Sequence, residues 1–143
     1  MIYTFFYIAL IHGKWKLGIT DNIFDRFKTY NKGNFNFIPF YILVSEEGFE
    51  EGIIFIEDQT LSPLYPFLEN PDFRNKPTEY VDPKFTHIDG KYIKKETLSV
   101  IDSNPSLQHT IKKLKEQYIM EAVTDSSLLE SVRLHPEKYL EGF

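Results

Sequence analysis

The sequence predicts an α+β fold: a small antiparallel or mixed three-stranded sheet flanked by helices, with a helical C-terminal extension. Three observations carry this. Apolar runs rich in Tyr, Phe and Ile at residues 3–11, 15–19 and 37–44 read as strands. Apolar residues at helical spacing lie between and after them. The resulting order, ββαβα followed by irregular chain and then helices, lacks the βαβ alternation of a parallel sheet.

The elements follow from local chemistry. His12-Gly13-Lys14 makes a short turn between the first two strands, with Gly13 free to take positive φ, so the chain opens on a β-hairpin. Thr20 or Asp21 is the expected N-cap of a helix that runs to Tyr30, with Ile23, Phe24 and Phe27 on its core face and Gly33 as its left-handed stop. Pro39 in the third strand suits an edge position or the strand start. Ser45, ahead of Glu46 and Glu47, is the expected cap of a second helix over residues 47–61, ended by Pro63. An extended stretch at residues 78–81 and a small hairpin at Asp89-Gly90 are expected next. From about Lys94 the pattern is helical: one long helix over residues 105–123, with Leu107, Ile111, Leu114 and Tyr118 on one face, then a short one over 126–134. Residues 1–94 and 95–143 are the expected division of the chain.

Composition narrows the function. Aromatics make up 16% of the 143 residues and hydrophobics 42%, enough material for a core and too much for a disordered chain. The absence of cysteine excludes disulfides, thiolate zinc sites and cysteine nucleophiles. The apolar start lacks a basic leader region and a cleavage site, and no apolar run reaches the roughly 18–20 residues of a membrane span. An intracellular protein of cytoplasm or nucleus, without a membrane, is the expectation. Net charge is −5, yet residues 1–45 hold Lys14, Lys16, Arg26, Lys28 and Lys32 against Asp21 and Asp25, a local net of +3. That field is where an anionic polymer would be met. His12, His87, His109 and His135 are scattered, the seven glycines are isolated, and no Gly-x-Ser-x-Gly occurs.

One spacing carries chemistry. Phe5-Phe6-Tyr7 lies on the first strand, Lys16-Leu17-Gly18 on the second, and Arg26 follows Gly18 by eight residues on the first helix. Glu57 comes on the next helix, with Leu61 a turn on, and Glu79-Tyr80 follows later. In order and spacing this set resembles the core of the GIY-YIG nuclease superfamily over residues 3–82. Two positions depart from the pattern: Lys16 stands where the second motif usually has tyrosine, and Tyr30 where a histidine often follows the arginine.

The resemblance implies a metal-dependent endonuclease that hydrolyses phosphodiester bonds, with DNA as the expected substrate. Such hydrolysis needs an activated water, neutralised phosphoryl oxygens and a stabilised leaving oxygen. By resemblance Tyr7 acts as, or beside, the general base. With an ordinary pKa of about 10 it needs a nearby cation, which Lys16 could supply. Arg26 holds the scissile phosphate through its forked donors. Tyr30, i+4 from Arg26, shares its helix face and donates to phosphate or water. Glu57 is the single protein ligand of Mg²⁺ or Mn²⁺, projecting from a face shared with Ile53, Ile54 and Leu61. Lys14, Lys28 and Lys32 are the substrate-binding candidates.

Each residue alone has an ordinary explanation: Tyr7 as a core tyrosine, Arg26 as a surface helix residue, Lys16 exposed on the hairpin, Glu57 in a salt bridge, Glu79 closing onto a backbone amide. Their joint spacing raises the nuclease reading above these. The same fold as a catalytically silent module that binds nucleic acid or protein is the alternative, and an unrelated α+β interaction domain is a third. The final third of the tail is acidic, so its helices suit a protein partner or a second copy of the chain better than DNA.

Overall fold

Strand β1 (Tyr3–Ile11) is buried on both faces, and the rest of the molecule is arranged around it. The computed structural model describes residues 2–32, 36–69 and 80–143. β1 pairs antiparallel with β2 (Lys14–Thr20) on one side and β3 (Phe37–Glu46) on the other. His12 and Gly13 join β1 to β2 in a two-residue turn with φ of 52° and 76°, as the strand twist of a tight hairpin demands. α1 (Ile23–Lys32) follows β2. Its cap is Asn22, whose Oδ1 accepts from the Asp25 N–H at 3.0 Å, and not Thr20 or Asp21. The stop expected at Gly33 lies outside the described residues.

Among the described residues the sheet has five strands, not three, in the order β2-β1-β3-β4-β5, all antiparallel. β4 (Ile111–Leu114) and β5 (Leu140–Glu141) come from the segment expected to be helical. The helix expected over residues 105–123 is instead a 3-10 turn at Pro105–His109, then β4, then α4 (Glu116–Thr124). The spacing of Ile111 and Leu114 fits either a helix or a short strand. Pairing of Leu43, Val44 and Ser45 with β4 decides it. β4 covers only that part of β3, so Pro39 sits where β3 has a neighbour on one side alone, next to a bulge that shifts the register between Ile8 and Ala9.

Two further expectations are corrected. Ser45 stays in β3, and α2 (Glu50–Leu61) begins after a turn in which Gly48 takes φ 93° and donates its N–H to Glu50. Asp89-Gly90 makes no hairpin. Asp89 is the N-cap of α3 (Gly90–Asp102), its carboxylate accepting the Tyr92 N–H at 2.9 Å. The division expected between residues 94 and 95 therefore falls inside α3, and the later strands belong to the same sheet. α5 (Leu128–Leu134) lies where a short last helix was expected.

Alternation along β1 divides the core between the two faces of the sheet. Phe6, Ile8, Leu17, Tyr41 and Leu43 face α2 and α3, meeting Ile53, Ile56, Ile93 and Ile101. Phe5, Tyr7, Ala9 and Ile11 face the other way, meeting Ile23 of α1, Ile119 and Ala122 of α4, and Leu129 and Val132 of α5. Burying each large side chain of this set contributes about 1.5–3 kcal/mol before entropy. Among the described residues no helix is long and apolar enough to cross a membrane.

Candidate functional site

Tyr7 and Gly18 are direct partners across the β1–β2 ladder, and Ala9 and Lys16 are the next pair that points the same way. Gly18 has no side chain, so the Tyr7 ring lies over it: a Cβ there would meet Tyr7 Oη at 2.5 Å. Lys16 bends into the same space. Its ammonium sits 5.7 Å from the centre of the Tyr7 ring and 5.4 Å from that of Tyr80, whose backbone bridges to Lys16. Tyr7 is 1% and Lys16 8% exposed, so the lysine is buried and not free on the hairpin surface. Tyr80 is the described half of the Glu79-Tyr80 step; Thr78 and Glu79 lie outside the described residues.

α1 closes over this face. Ile23 is its buried anchor, and Phe24, Phe27 and Tyr30 pack beside it against the same cluster as Tyr7. Tyr30 stacks on Phe37 with centroids 5.7 Å apart, and Tyr7 meets the same ring at 5.5 Å, so Phe37 joins the two tyrosines. Nothing in the spacing of the sequence singled out Phe37; its part depends on where β3 begins. Arg26 is half-buried at the border of the packed stripe, one helical turn before Tyr30, and makes no ion pair with a described residue.

The three lysines expected to bind substrate are dispersed. Lys14 pairs with Glu69 at 2.7 Å, beside a cleft of about 260 Å³ at the hairpin end that Ile11, His12 and Tyr80 also line. Lys28 lies against the Phe24 ring at 4.9 Å and 3.6 Å from Asp25. Lys32 is exposed at the end of α1.

Glu57 is set apart from the other four. It is half-buried on α2, whose Ile53, Ile56 and Leu61 pack on the face with Phe6 and Leu17, the face opposite to Tyr7. Ile54, expected beside it on an apolar face, is exposed. Mg²⁺ bound through one carboxylate keeps most of its waters and completes its shell with substrate phosphate. Among the described residues no group of three or more His, Asp or Glu side chains could hold a metal. Among the described residues, Glu57 and the Tyr7–Lys16 pair are carried on opposite sides of the sheet.

Chemically, the face of α1 and the β1–β2 ladder offers a tyrosine hydroxyl and a lysine ammonium in one buried spot, with a guanidinium and a second phenol on the helix above.

No family model, curated protein or solved structure matches the chain.

Proposed function

We propose that the chain is a phosphodiesterase of the GIY-YIG type that cuts nucleic acid, with DNA as substrate and Mg²⁺ or Mn²⁺ as the ion it requires. The observation that carries this reading is the meeting of Tyr7 with Lys16 beneath the helix of Arg26 and Tyr30. A cation beside a phenol favours the form of its oxygen that can take a proton from water. The Arg26 fork suits two oxygens of one phosphate, and Tyr30 can donate to a third or to the attacking water. The exposed surface of α4 and α5, with Met120, Val123 and Leu134, is kept for a protein partner or a second copy of the chain.

A second reading, the same fold as a silent nucleic-acid-binding or protein-binding module, is favoured by the burial of Tyr7 and by the position of Glu57 on the opposite face. A cleavage assay on duplex, branched and single-stranded DNA with Mg²⁺ or Mn²⁺ separates the two. The nuclease reading expects cutting that Tyr7→Phe, Arg26→Ala and Glu57→Ala each abolish while the fold survives. No cutting of any form, with binding intact, selects the silent module. Full activity in Glu57→Ala removes Glu57 as metal ligand.

A further inference from the structure

A second group of lysines lies outside the front third of the chain. Residues 84–115 hold seven lysines against Asp89, Glu96 and Asp102, a local net of +4. Three of them, Lys91, Lys94 and Lys95, line a cleft of about 520 Å³ between α3, the start of α4 and Phe40 of β3. None of the three pairs with an acidic side chain among the described residues. Asp102 and Glu116 line the same cleft and leave it positive by one charge.

We propose that this cleft holds the phosphate backbone of a nucleic acid. The proposal deepens the reading of the chain as a protein acting on nucleic acid, and rests on it, by saying where the polymer is gripped away from Tyr7 and Arg26. Two observations support it. Lys91 stands i, i+3 from Lys94 and i, i+4 from Lys95, so like charges crowd one helix face, an arrangement that works against the helix unless an anion relieves it. The Lys94 ammonium is held 5.0 Å from the centre of the Tyr41 ring, which orients it. Tyr41 itself lines the adjoining cavity, together with Lys94, Lys113, Glu116 and Glu141; it is 2% exposed, and its hydroxyl has no hydrogen-bond partner among the described residues. An open row of point charges on an apolar floor, with no forked donor, fits an extended polyanion better than one small anion.

The test is binding of a short fluorescently labelled DNA duplex to the full chain in EDTA, followed by anisotropy across a salt series. Lys91→Gln, Lys94→Gln and Lys95→Gln together are expected to weaken binding roughly tenfold or more at low salt. They are also expected to lower the slope of log K against log salt by about 2–3, since each phosphate contact contributes about 0.9. The same changes at the remote lysines Lys84, Lys112 and Lys138 should leave the slope nearly intact. Binding by the triple variant equal to wild type, a loss no larger than in the remote set, or no DNA binding by the wild type overturns the proposal. Lys91→Gln and Lys95→Gln singly, on exposed side chains, each give part of the slope change if the triple variant folds poorly. Duplex that is bound with the full slope in EDTA but is not cut once Mg²⁺ or Mn²⁺ is added removes the nuclease reading and upholds the cleft. Cutting and binding that ignore the three lysines do the reverse.

Discussion

Gly18 lies directly across the ladder from Tyr7, with no side chain between its backbone and the tyrosine ring. Glycine inside a regular element normally costs roughly 0.5–1 kcal/mol relative to alanine. Here the sign should reverse, because a Cβ at position 18 would come within 2.5 Å of Tyr7 Oη and 2.7 Å of its Cζ. Gly18→Ala is expected to lose about 1–3 kcal/mol, the cost of overpacking a filled core. The readout is the midpoint of urea unfolding at unchanged m-value. A variant as stable as wild type would mean that the Tyr7 ring can leave its position at little cost.

Lys16→Met keeps an unbranched stem between Tyr7 and Tyr80 and removes the charge. Under the proposed function the fold survives and cleavage falls about 10²–10³-fold, the usual loss of one electrostatic group at a reacting centre. Wild-type cleavage in a folded Lys16→Met protein would exclude the lysine from the chemistry.

Burial pushes the Tyr41 phenol well above its ordinary range. A group of this kind contributes its stability in full below the unfolded pKa of about 10, and that contribution drains away as pH climbs above it toward the folded value. Its hydroxyl is also unpartnered, a defect that costs about 1–3 kcal/mol. Tyr41→Phe should therefore be at least as stable as wild type at pH 7, by about 1 kcal/mol. The gap should widen in denaturation at a pH above about 10. A gap that narrows in alkali would contradict the assignment.

At position 90 a Cβ would meet Trp15 Cη2 at 2.5 Å and Phe40 at 3.0 Å. Gly90→Ala should thus destabilise by about 1–3 kcal/mol, although alanine is the better helix former. The chain has one tryptophan, so its fluorescence should shift in the folded variant. Asp89→Ala, one residue earlier, removes the cap and is expected to cost about 0.5–2 kcal/mol with no such shift.

The hairpin, α1 and β3 were legible because their signals are local: alternation, a two-residue turn, an apolar stripe. So was the approach of Lys16 to Tyr7, since both belong to one hairpin. Three features depend on tertiary partners and could not be read in advance. Ser45 is a plausible cap by type but is claimed by pairing with Ile111. Residues 111–114 fit two periods equally, and only the open side of β3 selects the strand. The face on which α2 packs follows from the crossover after β3, so the sequence could place Glu57 on a helix but not on a side of the sheet. The cleft of Lys91, Lys94 and Lys95 is of the same kind: its floor is Phe40, brought there by a bulge in a strand far from α3 in the chain.

The joining of β4 to β3 also sets the order in which the protein can be made. β1, β2 and β3 pair within the first third of the chain, but the partner of Leu43, Val44 and Ser45 emerges only with residues 111–113. Until then a nascent chain carries an unpaired β3 edge, open to strands of other molecules. The final closure is a long-range contact of the slow kind. Chains halted on the ribosome before residue 111 should be the ones that misassociate or engage chaperones.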